Sequence, residues 1–196
     1  MEISSKLRDA VREAYSAAAD DPNREHPFPV GRSFAESLGY PRQLLDRIPP
    51  VAFEAFTGVS RVGILADLPD GATVLDLGCG SGLDSLVASE RVGPGGSVLG
   101  VDFSSAMLER ARRAAGESNA QNVTFVGADA ERLPVADATI DVVLTNGIFN
   151  LNPAREAIFA EMARVLRRGA PAYAAELILR EAAPARKTID PSDWFA

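Results

Sequence analysis

Hydrophobic positions along the 196 residues show two textures, with the change near Thr73. In the first, Ile3, Leu7, Val11, Tyr15 and Ala18 recur at helical intervals through EISSKLRDAVREAYSAAAD, which predicts an amphipathic helix broken by Asp20-Asp21-Pro22. The loop NREHPFPVGR follows. A short helix then ends at Gly39, and PRQLLDRIPPVAFEAFTG reads as helical on either side of Pro49-Pro50 and stops at Gly58. In the second texture, short β-rich apolar runs alternate with helix-period segments. They predict strand 73–77, helix 82–91, strand 97–101, helix 104–115, strands 122–126 and 140–145, helix 153–166 and strand 172–179. Strands separated by helices build a mainly parallel, doubly wound α/β sheet with right-handed crossovers. Three units are expected: a helical lid over 1–58, an α/β domain over 59–181 and a tail over 182–196.

One turn departs from this regular pattern. VLDLGCGSGLDS, Val74 to Ser85, ends a strand with Asp76 and then places glycine at 78, 80 and 82 just before a helix. Glycines at that density cost backbone entropy, so they serve unusual dihedrals or the close approach of a ligand. A glycine-rich turn from strand to helix is where open α/β sheets bind nucleotide-like ligands, at the carboxyl edge of the sheet. A dinucleotide fingerprint would need its third glycine at position 83, where Leu83 stands. The turn suits a ligand without a pyrophosphate. Asp76 offers a carboxylate to an ammonium group, and bare backbone at Gly78 and Gly80 lets an amino-acid portion lie close. Asp102 follows the next strand, placed to accept from both hydroxyls of a ribose. Phe103 and Met107 supply apolar surface for a purine, and Asp129 comes within reach of an exocyclic amine. Capping accounts for any one of these aspartates, but not readily for three at successive strand ends.

Composition narrows the partner. Twenty-seven acidic against 20 basic side chains give a formal charge of −7, the wrong sign for binding nucleic acid through its phosphates. A small-molecule partner is expected instead. Cys79 and His26 are single residues of their kind, which excludes an internal disulfide and disfavours zinc. The chain has no apolar run long enough for a membrane span or signal peptide, so no membrane association and a cytoplasmic location are expected.

Asp76-Leu77-Gly78-Cys79-Gly80-Ser81-Gly82, Asp102, GADAERLPVADATIDVV and RVLRRG together resemble the class I S-adenosylmethionine-dependent methyltransferases over about residues 60–180. The resemblance implies a Rossmann-like sheet of order 3-2-1-4-5, S-adenosylmethionine as cofactor and S-adenosylhomocysteine as product. It implies cofactor contacts at Asp76, Gly78 and Gly80 for the methionine part, Asp102 for ribose, and Phe103, Met107, Asp129 and Ala130 around adenine. Asn146, with Gly147 beside it, belongs under the sulfonium end. Cys79 sits in the loop as a packing residue.

A narrower likeness covers most of the chain. SLGYPRQLLDRIP, VGPGGSVLGVDFSSAMLERAR, TNGIFNLNPAREAIFAEMARVLR and DPSDW resemble the arsenite methyltransferase-like branch, a neighbour of the quinone-biosynthesis methyltransferases. Members that act on arsenite present thiols where this chain has Val59 and Gly147, and neither residue can coordinate a metalloid. Arsenic chemistry therefore loses its ligands, and a different small-molecule acceptor is expected. Methyl transfer from a sulfonium needs orientation more than a base. Tyr15, His26 and Tyr40 are the candidates for lining the acceptor pocket or moving a proton. Two other readings stay open: a cofactor-binding protein that does not methylate, acting as a partner subunit or cyclase, and an oxidoreductase using a dinucleotide. The residues after Arg180 are too few for the antiparallel hairpin usual beside the fifth strand. Strand 172–179 is therefore expected to be an exposed edge, with Leu177 and Leu179 uncovered, that is paired in a homodimer or with a partner chain, covered by Trp194 and Phe195, or exposed only because the sequence is a fragment of a longer chain.

Overall fold

The computed structural model of the chain describes residues 2–178, with side chains from Leu7 onward. Ile3 as a side chain, Leu179, Trp194, Phe195 and the tail 182–196 lie outside the described residues. The order is α1 (Glu2–Asp20), α2 (Arg32–Ser37), α3 (Arg42–Leu45), α4 (Val62–Leu65), β1 (Thr73–Leu77), α5 (Leu83–Val92), β2 (Ser97–Asp102), α6 (Ser105–Glu117), β3 (Val123–Gly127), β4 (Val142–Asn146), α7 (Arg155–Val165) and β5 (Ala172–Ala175). Short 3-10 turns stand at Pro50–Ala52 and Phe149–Leu151.

Five strands form one sheet in the order β3-β2-β1-β4-β5, and every pairing is parallel. Successive side chains on β1 point to opposite faces. Val74 joins Val62, Ala66, Ala88 and Val92 from α4 and α5, whereas Leu75 and Leu77 join Ile158, Met162 and Val165 from α7. Both faces are thus covered, as a parallel sheet requires. α6 shares a cluster with α5 through Ala114, Leu83 and Leu86, and Phe53 and Phe56 of the N-terminal segment complete it. Thr145, in the interior strand β4, carries a buried hydroxyl with no hydrogen-bond partner among the described residues.

β5 is shorter than its apolar run suggests. Its last pair with β4 is Ala175 opposite Asn146. Beyond it, the Glu176 carboxylate accepts from the backbone N–H groups of Phe149 at 2.6 Å and Asn150 at 3.4 Å. Asn150 Nδ2 in turn donates to the Leu177 carbonyl at 2.6 Å. The chain thus leaves the sheet to hold the turn after β4, so residues 176–178 are not strand. The outer edge of β5 has no partner strand among the described residues, and Leu177 and Ile178 stand exposed.

Candidate functional site

The carboxyl ends of β1 to β4 open into one cleft, with an empty volume of about 1040 Å³ that includes solvent at its mouth. The turn after β1 supplies Asp76, Gly78, Cys79 and Gly80 to its wall, and the segment after β2 supplies Asp102, Phe103 and Met107. Asp129 and Ala130 follow β3, Asn146 and Gly147 end β4, and Tyr15 comes from α1. Gly78 and Gly80 have φ of +76° and +51°, in the left-handed region that glycine tolerates. A Cβ on Gly80 would meet nothing closer than Met107 Sδ at 4.0 Å, so bare backbone faces the cleft there.

Asp102 ends β2 and braces this turn. Its Oδ1 accepts from Ser104 N–H at 2.8 Å and its Oδ2 from Gly80 N–H at 2.9 Å. The carboxylate keeps acceptor capacity for a ligand. Burial raises the Asp102 pKa, against the pull of the Ser104, Gly80 and Phe103 amides. Asp76 is only 2% exposed and accepts from Ser85 Oγ at 2.5 Å. Burial first, and the nearby charge of Asp84 second, push its pKa up to about 8. At neutral pH Asp76 therefore holds its proton in the ligand-free protein.

Helix α1 lies across the end of the cleft where Asp129 and Phe103 sit. Arg8 ion-pairs with Asp129, and with Glu131 at 3.0 Å. Arg12 stands 5.4 Å above the Phe103 ring, and Ser16 Oγ lies 3.0 Å from Ser104 Oγ. Asp129 thus meets a cation of the chain itself in the ligand-free state. Tyr15 packs against Phe28 with ring centroids 4.8 Å apart. Burial, then the charges of Asp102 and Glu176, drive its phenol pKa well above the ordinary value, so its hydroxyl is a donor and not a base.

Tyr40 and His26 do not line the cleft. The Tyr40 hydroxyl donates to Asp84 Oδ1 at 2.5 Å, inside the interface between the N-terminal helices and α5. His26 lies in the loop after α1, its Nε2 2.9 Å from the Asp21 carbonyl oxygen. Cys79 packs on Leu108, Ala111 and Phe125, and burial pushes its thiol pKa up.

Asn146 lines the cleft, but its amide is fully engaged. Oδ1 accepts from Val59 N–H at 2.8 Å and Ser60 N–H at 3.0 Å. Nδ2 donates to the Ser60 carbonyl at 2.7 Å and to Asp84 Oδ2 at 2.8 Å. Sequence reasoning missed Asp84. In the first turn of α5 an acid looks like an ordinary complement to the helix dipole, yet it is 5% exposed, lines the cleft and also accepts from Gly63 N–H at 2.9 Å. Val59 and Gly147 are neighbours: a Cβ at 147 would lie 3.4 Å from Val59 Cγ1.

Comparison with known proteins agrees with this architecture. Arsenite methyltransferase of Halobacterium salinarum is 35% identical over 161 residues, covering 81% of this chain and 40% of its own length. Demethylmenaquinone methyltransferase of Lactococcus lactis is 37% identical over 99 residues, covering 50% of this chain and 39% of its own. The chain thus spans about 40% of the length of these curated relatives. Among solved structures, an arsenic (III) S-adenosylmethionine methyltransferase from Chlamydomonas reinhardtii is 30% identical with TM-score 0.54, covering 71% of this chain and 46% of that one. The [4+2]-cyclase SpnF is 26% identical with TM-score 0.57, covering 62% and 44%. Residues 68–186 match the family described as "Methyltransferase domain", and the chain, with its glycine turn and parallel sheet inside that span, belongs to this family.

Proposed function

We propose that this chain binds S-adenosylmethionine in the cleft and transfers its methyl group to a small-molecule acceptor. The observation that carries this reading is the convergence of Asp76, Asp102 and Asp129, from the ends of three successive strands, around a glycine turn with open backbone. Their chemistry fits the group. An acidic floor suits an ammonium, a buried carboxylate with spare lone pairs suits a pair of hydroxyls, and Phe103, Met107 and Ala130 give apolar surface for a purine. When bound, the cofactor supplies an electrophilic methyl on a cationic sulfur. Asp102 orients the ribose while keeping its bonds to Ser104 and Gly80. Asp129 exchanges Arg8 for the adenine amine.

Of the candidate groups, Tyr15 keeps its proton, His26 is turned to the surface loop and Tyr40 is bonded to Asp84. The chain's contribution is therefore alignment of the acceptor, with Tyr15 as a hydrogen-bond donor at the wall. Val59 against Gly147 gives an aliphatic wall where arsenite-acting proteins of the resemblance present thiols, so arsenite is not the acceptor. The likeness to a [4+2]-cyclase favours a second reading, in which the bound cofactor shapes the cleft and is not consumed.

Calorimetry with S-adenosylhomocysteine tests the site. Asp102→Ala removes an acceptor of charge-assisted hydrogen bonds and should weaken binding by about 2–3 kcal/mol. Unchanged affinity would remove Asp102 from the site. A thermal shift with NADH and none with S-adenosylhomocysteine would favour the oxidoreductase reading. Consumption of S-adenosylmethionine over an acceptor panel separates methyl transfer from the cyclase-like case.

A further inference from the structure

We propose that Arg12 of α1 is a cofactor-binding residue: its guanidinium, set over the Phe103 ring in the cleft, forms the second face of the adenine site, and the purine stacks between the two. The inference rests on the cofactor reading above, which places adenine on Phe103 and gives Arg12 no role.

Arg12, Phe103 and Asp129 line the same cleft, and the guanidinium carbon stands 5.4 Å from the Phe103 ring centroid. The helix is pinned on either side of it. Arg8, one turn before, pairs with Asp129 and Glu131, and Ser16, one turn after, has its Oγ 3.0 Å from Ser104 Oγ. Residues 8, 12 and 16 share one face of α1, so the Arg12 stem starts from a point held above Phe103. Its head is not held. Arg12 is exposed and pairs with no carboxylate among the described residues. A second guanidinium over a ring shows the contrast. Arg32, 5.7 Å from the Phe53 centroid, is tied to Glu36 at 2.9 Å and to Asp46 at 2.5 Å. Arg32 is braced in place, whereas Arg12 can yield.

A flat ring placed between guanidinium and phenyl needs about 3.5 Å on each side, about 7 Å in all. The gap is short of this by about 1.6 Å, which a small change in an unpaired arginine side chain supplies while α1 stays docked. A guanidinium is planar and weakly hydrated, and it stacks on bases with its charge against their π face. Phe103 is 39% exposed, an apolar ring that a purine would cover. Arg8 keeps Glu131 when Asp129 turns to the adenine amine, so the pin before Arg12 survives binding. Asp129 then reads the edge of the purine and Arg12 its plane.

Calorimetry of S-adenosylhomocysteine and 5′-methylthioadenosine on the full chain tests this without any acceptor. The second ligand keeps the adenosine and lacks the amino-acid portion. Arg12→Ala should weaken both by the same factor, about fivefold or more, the order expected for a cation stacked on a partly covered π face. Arg12→Trp restores a plane and should bring both affinities to within about twofold of wild type. Its added indole should be quenched by either ligand beyond any change that Trp194 shows in the wild type, a signature that a structural role would not give. Arg12→Lys keeps the charge without the plane and should stay about threefold or more weaker. Position 12 is exposed on a helix, and equal urea midpoints confirm that the variants fold. Unchanged or tighter binding by Arg12→Ala overturns the proposal, as does full recovery by Arg12→Lys, which would assign the effect to charge alone. A loss confined to S-adenosylhomocysteine puts the guanidinium on the amino-acid carboxylate and overturns it too. Binding of neither ligand by the wild type defeats the cofactor reading itself, whereas wild-type binding that Arg12→Ala leaves intact defeats only the stack.

Discussion

Replacing Asp76 by asparagine should make the ligand-free protein more stable and its ligand binding weaker. Asp76 has the ordinary carboxylate value of 3.8 when unfolded and about 8 in the fold, owing to burial and then to the charge of Asp84. Between these values the native state holds a proton that the unfolded state has lost. Stability therefore falls as pH rises from about 4 to about 8, by at most about 1.4 kcal/mol per unit. At pH 7 the accumulated cost is about 4 kcal/mol. Asparagine removes it but loses part of the Ser85 bond and brings an amide N–H₂ that must find a partner, together about 1–3 kcal/mol. A net gain on the order of 1–3 kcal/mol remains, seen as a higher urea midpoint at pH 7 and a flatter dependence of that midpoint between pH 5 and 8. Ligand binding should show the other half of the linkage. An ammonium arriving at Asp76 favours the ionised form, so the wild type should release close to one proton per S-adenosylhomocysteine at pH 7, and Asp76→Asn none. Calorimetry in buffers of different ionisation enthalpy measures this number. A wild-type release near zero, with affinity independent of pH between 6 and 8, would refute the reasoning.

Two further substitutions bear on the interior and on the acceptor wall. Thr145→Val replaces a buried hydroxyl without a partner among the described residues by a methyl of nearly the same shape. It should be neutral or stabilising by up to about 2 kcal/mol, and a loss of more than 1 kcal/mol in urea unfolding would mean that the hydroxyl has a partner. Val59→Cys with Gly147→Cys should create a two-thiol site that captures phenylarsine oxide as a bridged adduct detected by mass spectrometry, whereas either single variant should not. The cost is about 1–2 kcal/mol for a side chain at the left-handed residue 147, where φ is +87°. Thiols that stay freely titratable in the arsenical's presence would count against the pairing of these two positions.

The order of strands and helices was legible because alternating textures are local. Boundaries of β1, β2 and α6 shift by no more than two residues from the periodic reading. Where the pattern misled, longer-range contacts decided. Glu176 interrupts the apolar run that suggested a strand to 179, and its hydrogen bonds to Phe149 and Asn150 give the physical reason. α4 has four residues, too few for a helical period to show. The glycine turn and the strand-end aspartates could be read because their spacing is itself the signal. Asp84, Arg8 and the engagement of Asn146 could not. Asp84 meets Tyr40 across 44 positions and Asn146 across 62, and Arg8 meets Asp129 across 121. Periodicity assigns such residues to a helix start or a solvated face.

The bonds from Glu176 make the segment after β5 a strut for the cleft. Ile148 and Leu151 belong to the cleft wall, and the Glu176 carboxylate beyond the sheet joins Arg155 and the packing of Phe149 on Phe159 in holding the turn between them. Leu177 and Ile178, the next residues, are 67% and 85% exposed and so present an apolar handle. The wall of the cleft at Ile148 and Leu151 is therefore tied by hydrogen bonds to the segment that leaves the outer strand.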